Sequence, residues 1–173
     1  MKFEDHIQYV IKAHGDHPRK PGNATRRFDG RTPYSIHPIW CAMTICAETS
    51  LPAELREIGS LALLYHDLLE ETTVRLPDEL TDEEKKLIQE MTSEAWAVPE
   101  GSAVEEREIW SRRQEVRLLK LYDKTSNLLD GSWMPPEKLK RYRRYTSSLA
   151  DDVQKNYGDL NIVRIARAIL ANK

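Results

Sequence analysis

The stretch LALLYHDLLEE, residues 61–71, is the most informative part of this sequence. Its apolar residues recur on one broad face at helical spacing, which predicts a helix from about Pro52 to Glu71. The remaining arc of that helix carries His66, Asp67, Glu70 and Glu71. Carboxylates on a helix apolar enough to enter the core repel one another and lose hydration, and a divalent cation would remove both costs. Taken alone, the segment fits either a metal-binding helix or an ordinary solvated helix face.

Two other segments carry residues that could complete a metal site. His37 directly precedes Pro38, where we expect a second helix to begin. The partial positive charge at a helix start favours the neutral imidazole that a metal requires. Asp123 lies on a polar helix face with Lys120, Lys124 and Asn127. A capping histidine and a solvated face would explain these two places equally well when each is considered separately.

The rest of the chain reads as helices, and no segment shows a convincing strand alternation. We therefore predict an all-α single domain over residues 1–173. Further helices are predicted at about 3–14, from the capping box at Thr81, and at about 105–130, 136–157 and 159–171. Residues 93–104 are expected to form a mobile connection. Residues 15–34 form a loop that is long for a compact domain and rich in arginine, and such loops are often functional.

The composition is that of a globular protein, with a net charge of -2 that gives no overall electrostatic footprint for nucleic acid. Cys41 and Cys46 are five residues apart on one predicted helix, which is poor geometry for a disulfide. The N-terminus is too polar for a signal peptide, and no apolar run approaches the length of a membrane span. We expect a cytoplasmic protein with a small-molecule partner, no nucleic acid and no membrane. Whether it forms a homodimer is left open.

The order and spacing of several short segments are more specific than any one of them. The segments are AH at 13–14 followed by RK at 19–20, PYSIHP at 33–38, ALLYHDLLEET at 62–72 and KLYDKTSNL at 120–128. In these segments the chain resembles the HD-domain phosphohydrolases, and within them the RelA/SpoT hydrolase domain and the small stand-alone alarmone hydrolases. The resemblance spans about residues 5–130 and implies an HD-type helical bundle. The C-terminal helices, about 136–171, carry no motif.

The resemblance also implies a role for each matching residue. One divalent ion, usually manganese in this family, would be bound by His37, His66, Asp67 and Asp123. These ligands would also suit iron or zinc. The pair Glu70 and Glu71 would handle the attacking water, and Asn127 would lie near the substrate. The nucleotide would be approached by Arg19, Lys20 and Tyr34. Apart from the resemblance, the charges of Lys120, Lys124, Arg26 and Arg27 make them further candidates for neutralising phosphate. We interpret His14 as a core histidine, because it continues an apolar stripe.

Three departures from the family pattern bear on the site. Glu71 stands where the second carboxylate is usually aspartate, which leaves its role open. The loop between Lys20 and Gly30 is longer than in the stand-alone hydrolases and adds Arg26 and Arg27. Tyr122 replaces the small residue that usually precedes the metal-binding aspartate.

The resemblance implies a metal-dependent enzyme that removes the 3′-pyrophosphate of ppGpp and leaves GDP. Two alternatives remain at this point. The chain could hydrolyse another nucleotide, such as a dNTP, a nucleoside monophosphate or NADPH. It could also be a non-catalytic nucleotide sensor, although the presence of all four expected ligands argues against this.

Overall fold

The computed structural model describes residues 1–92 and 101–172, with side chains for all of these except residues 101–103. The predicted all-α class is confirmed, because the β-type pairing within these ranges is limited to the isolated bridges Pro18–Thr72 and Thr25–Pro33. The helices are α1 (Phe3–Asp16), α2 (Ile36–Cys46), α3 (Ala53–Tyr65), α4 (Leu68–Glu71), α5 (Asp82–Met91), α6 (Gly101–Glu108), α7 (Gln114–Leu129), α8 (Pro136–Tyr157) and α9 (Asn161–Ala171). No helix in the described ranges is long and apolar enough to cross a membrane.

The helix predicted from Pro52 to Glu71 is interrupted in the structure. α3 ends at Tyr65, and the short α4 begins at Leu68. Asp67 lies between them with φ −91° and ψ −6°, a conformation typical of a turn rather than of a continuing helix. On an unbroken helix neighbouring side chains splay apart by about 100°. The interruption therefore allows His66 and Asp67 to face the same point.

Other predicted boundaries are confirmed or shifted by the structure. The capping box at Thr81 is formed, since Thr81 N–H donates to Glu84 Oε2 (2.6 Å) and Glu84 N–H donates to Thr81 Oγ1 (3.2 Å). α2 begins at Ile36 rather than at Pro38. Pro38 therefore lies in the first turn of the helix, where a proline is tolerated because the N–H groups of that turn have no intrahelical partners. The helix predicted over 105–130 is divided into α6, a 3₁₀ turn at Ile109–Ser111 and α7. Of the connection predicted at 93–104, residues 93–100 lie outside the described residues.

α7 is the central helix of the bundle and packs against α2, α3, α5, α8 and α9. Most of its apolar side chains are buried, including Leu118, Leu119 and Tyr122. Burying a leucine such as Leu118 or Leu119 stabilises the fold by roughly 1.5–3 kcal/mol. The junction of α2, α3 and α7 is tight. A Cβ placed at Gly59 would lie 2.9 Å from Ile45 Cδ1 and 3.1 Å from Leu119 Cδ2. This close packing holds the metal-site elements in fixed register.

The long loop at 15–34 is tied to the bundle. At its first half, Arg19 N–H donates to the Glu71 carbonyl at the end of α4 (2.7 Å). Its second half pairs with itself, as Arg26 N–H donates to the Thr32 carbonyl (2.8 Å). The loop therefore packs as one unit beside α4 and α7.

Candidate metal centre and adjoining pocket

The structure brings together the four side chains that the sequence predicts as metal ligands. His37 Nε2 lies 3.3 Å from Asp67 Oδ2 and 3.5 Å from Asp123 Oδ1. His66 Nε2 lies 3.2 Å from Asp67 Oδ1 and 3.8 Å from Asp123 Oδ1. The residues come from α2, from the α3–α4 break and from α7. The helix packing thus gathers two imidazoles and two carboxylates around one point.

The far side of each imidazole ring is fixed by a hydrogen bond. His66 Nδ1 donates to the Leu63 carbonyl (2.7 Å), which lies in the last turn of α3, and His37 Nδ1 bonds Ser126 Oγ (2.8 Å). Both Nε2 atoms are buried, and neither has a hydrogen-bond partner of good geometry among the described residues. Buried polar atoms without partners are costly. Two such nitrogens aimed at carboxylates are what a divalent ion requires, so the residues present fit a metal site.

The electrostatics of the cluster favour a cation. Burial alone would lower the pKa of His66, but the carboxylates of Asp67 and Asp123 outweigh it and raise that pKa to about 9. Burial would also raise the pKa of Asp67, yet the His66 and His37 imidazoles hold it well below its usual range. The negative field that favours imidazolium would equally favour a divalent metal ion.

Asp123 is surrounded by cations that the sequence had suggested for the substrate. Lys120 Nζ and Lys124 Nζ lie 3.4 and 3.1 Å from Asp123 Oδ2. Both lysines are buried and are shared with Glu105 of α6, at 3.6 and 2.8 Å. Their role in substrate binding stays a prediction. Glu105 was missed by the sequence reasoning, because only the folded bundle brings α6 beside α7.

Asn127 links Asp123 to the loop at 15–34. Its Nδ2 donates to Asp123 Oδ1 (2.6 Å), and its Oδ1 accepts from the Arg26 guanidinium (3.0 Å). Arg26 is 6% exposed and also donates to Asp130 Oδ2 (2.8 Å). The loop arginine therefore fixes which way the Asn127 amide points, and that amide in turn orients Asp123, a predicted metal ligand.

Tyr34 connects the metal centre to the pocket beside it. Its hydroxyl donates to Asp67 Oδ2 (2.7 Å), and its ring stacks on His14 with centroids 5.0 Å apart. His14 is 1% exposed, in agreement with its interpretation as a core histidine.

The predicted water-handling pair lies at the end of α4. Glu71 is half-buried, accepts a hydrogen bond from Asn23 Nδ2 and lines the pocket. Burial and the nearby Asp67 charge raise the pKa of Glu71. The charge of Glu70 reaches towards α7, where it adds to those of Glu105 and Asp123 in raising the pKa of Lys120 against the effect of burial. The two carboxylates thus belong to the same short helix, with Glu71 at the pocket and the charge of Glu70 acting on α7.

Arg19 and Lys20 lie on the outer side of α4. The Arg19 guanidinium donates to the backbone carbonyls of Leu69 (3.0 Å), Glu70 (3.1 Å) and Thr72 (2.9 Å). It therefore binds carbonyls that a helix end leaves without intrahelical partners. Lys20 is exposed, and its charge opposes the increase in the pKa of Glu71. Their predicted contact with the nucleotide stays a prediction.

A pocket of about 210 Å³ adjoins the metal centre. It is lined by Arg26, Arg27, Tyr34, Glu71, Asn127, Trp133, Met134, Lys138 and Tyr142. Three of these, Arg27, Trp133 and Lys138, form what we call the outer wall. The Arg27 guanidinium carbon lies 4.9 Å and Lys138 Nζ 4.6 Å from the Trp133 ring centroid. The contributions of Trp133, Met134, Lys138 and Tyr142 were missed by sequence reasoning, because the segment 131–142 carries no family motif.

Comparison with known proteins supports the fold and leaves the sequence family unassigned. No sequence model of a known protein family matches the chain, and no curated protein matches it significantly. The fold is similar to that of a solved metazoan ortholog of SpoT, a protein that hydrolyses ppGpp and plays a role in starvation responses. The TM-score is 0.72 at 20% sequence identity, and the match covers 97% of this chain and 93% of the other. The chain therefore has the helical fold of that SpoT ortholog, as the resemblance in its motifs implied.

Proposed function

We propose that this protein is a metal-dependent nucleotide phosphohydrolase, and specifically a 3′-pyrophosphohydrolase of ppGpp. The observation that carries the proposal is the cluster of His37, His66, Asp67 and Asp123, whose two buried imidazole Nε2 atoms face carboxylate oxygens. Tyr34 and Asn127, which bond to the carboxylates of Asp67 and Asp123, also line the adjoining pocket. The fold shared with a ppGpp-hydrolysing protein supports the substrate. It does not by itself define the activity, because similar folds host different reactions.

The four clustered side chains would hold one divalent ion, for which we propose Mn²⁺. When bound, such an ion would polarise a phosphoryl oxygen and lower the pKa of a water molecule. Two nitrogens and two carboxylates also suit Fe²⁺ and Zn²⁺, so the choice among them is part of the test.

Protein side chains would perform the remaining steps. Glu71, whose pKa is raised by burial and by Asp67, would accept the proton of the attacking water, with Glu70 beside it on α4. Asn127 and Tyr34 would keep Asp123 and Asp67 oriented while facing the substrate. Lys20 and Arg19 would approach the nucleotide from the outer side of α4.

The proposed reaction balances without a further reactant. The water oxygen forms a bond to the phosphorus attached to ribose O3′, and the bond between that phosphorus and O3′ breaks. O3′ takes up a proton and remains on GDP, and pyrophosphate leaves. Reaction at a small 3′ group would place the rest of the nucleotide in the adjoining pocket.

The substrate is tested by incubating metal-stripped protein with Mn²⁺, Fe²⁺ or Zn²⁺ and a panel of ppGpp, GTP, dNTPs, nucleoside monophosphates and NADPH. Pyrophosphate and phosphate release are measured separately. We expect metal-dependent pyrophosphate release from ppGpp. Turnover of another nucleotide alone would leave the metal centre in place and contradict the substrate. Bound metal without turnover of any of them would favour a nucleotide sensor.

The roles of the two glutamates are separated by Glu70→Gln and Glu71→Gln. The residue that takes the proton should lose about 10²–10⁴-fold in kcat while Mn²⁺ affinity is kept, since this is the usual contribution of a general base. Full activity of both variants with metal bound would contradict the assignment of this pair.

We also propose a cytoplasmic location and a small nucleotide as the partner, without nucleic acid. Immunodetection of the protein in separated cell fractions tests the first, and a nucleic-acid binding assay tests the second.

A further inference from the structure

The two cations of the outer wall differ from the other cations near the site. Lys124 is paired with Asp123 and Glu105, and Arg26 is paired with Asp130. Arg27 and Lys138, in contrast, make no ion pair among the residues that the structure describes. The positive charges of Arg27 and Lys138 are therefore not neutralised by a directly bound carboxylate of the described residues.

The outer wall holds these cations in a set arrangement. Each lies within 5 Å of the Trp133 ring centroid, at a distance where cation–π attraction operates. Burial and the positive charges of Arg27 and Arg141 lower the pKa of Lys138, which indicates net positive potential. A phosphate group placed here would relieve the repulsion between the cations.

The wall lies across the pocket from the metal centre. Tyr34 and Asn127 line the pocket and bond directly to metal-ligand carboxylates, so the pocket extends from the cluster to the wall. A nucleotide with its scissile group at the metal centre would thus extend towards Trp133.

We propose, on the basis of the function proposed above, that the outer wall is a second anion subsite. Arg27 and Lys138 bind a phosphate group of the nucleotide other than the one attacked at the metal centre. In ppGpp this group is the 5′-diphosphate. Arg27 belongs to the long loop and Lys138 to α8, so the subsite is shared between these two elements.

The subsite is tested by calorimetric titration of the Mn²⁺-loaded protein with guanosine, GMP and GDP. We expect GDP to bind at least about tenfold more tightly than guanosine, because charge-assisted hydrogen bonds to phosphate are stronger than neutral ones. Arg27→Ala and Lys138→Ala should each weaken GDP binding about tenfold and leave guanosine binding unchanged. Arg27→Lys and Lys138→Arg should retain most of the GDP affinity.

Matched controls are Arg31→Ala, in the same loop, and Lys140→Ala, on the same helix, which are both exposed and line no part of this pocket. They should leave GDP binding unchanged, and circular dichroism verifies that all variants fold. An unchanged ratio of GDP to guanosine affinity in folded Arg27→Ala and Lys138→Ala overturns the subsite, as does a wild-type protein that does not prefer GDP. These titrations require no hydrolysis, so the subsite can stand even where ppGpp turnover fails.

Discussion

The metal centre and the outer wall lie on opposite sides of one pocket, but they come from different kinds of structural element. The side chains of the four proposed metal ligands are between 0 and 14% exposed and come from packed helices or the break between them. In the outer wall, Arg27 comes from an exposed loop and Lys138 from the first turn of α8. Core packing fixes the ligands, whereas the wall depends on the Arg27 side chain, which is exposed and makes no ion pair among the described residues. Chemistry and selectivity are therefore separable here.

This contrast predicts its largest effect at the metal centre. Asp67→Ala removes a ligand that also accepts from Tyr34, and should lower the rate of ppGpp hydrolysis on the order of 10³-fold or more. Mn²⁺ binding, followed by electron paramagnetic resonance, should weaken in parallel. Asp78→Asn, an exposed carboxylate, is the control. Retention of metal binding and activity in Asp67→Ala would contradict the assigned centre.

The free energy of unfolding should depend on pH through His14, which stacks on Tyr34 beside the metal centre. Burial lowers the pKa of His14 to about 4 although Asp67 opposes it, whereas an unfolded histidine titrates near 6.5. The unfolded chain therefore binds the proton first as the pH falls. The contribution of neutral His14 to the free energy of unfolding is therefore present above about pH 6.5 and is lost towards pH 4, by roughly 3 kcal/mol.

His14→Phe keeps an aromatic ring beside Tyr34 and removes this titration. Urea unfolding in EDTA should show a shallower loss of unfolding free energy between pH 6.5 and 4 than in the wild type. Parallel curves for the two proteins would mean that His14 is protonated within the fold.

The link between the two regions is Arg26, so its removal should affect the metal centre from the loop side. Arg26→Ala releases the Asn127 amide that orients Asp123, and metal affinity should fall about 10–100-fold, the usual effect of losing a partner behind a ligand. Mn²⁺ titration measures this against Arg31→Ala. Unchanged affinity would show that the loop and the metal centre are independent.

The smallest effect is expected at Arg19, where the structure gives a stabilising contact rather than a pocket position. Arg19→Ala should lower the unfolding free energy by about 1–2 kcal/mol, because three carbonyls near the end of α4 lose their donor. Lys20→Ala, next to it and exposed, should change stability little. Equal stability of the two variants, measured by urea unfolding, would contradict the contact.

The sequence by itself determined the all-helical class and most helix positions, and it predicted the four residues that the structure gathers at the candidate metal centre. Apolar periodicity reports burial directly, and the four ligands lie in local segments whose order is specific. It could not determine that the helix at residues 52–71 breaks at Asp67, since leucines on both sides continue the same pattern. That break decides how His66 and Asp67 can face one ion.

Only the tertiary structure decided the partners of charged side chains. The sequence predicts Lys120 and Lys124 as substrate-binding residues, and the structure shows that both also pair with Glu105 of α6. Arg26 and Arg27 are adjacent in sequence, yet one is buried against Asp130 and Asn127 and the other lies on Trp133. The physical reason is that charge pairing depends on distances between elements far apart in sequence, which no local pattern encodes.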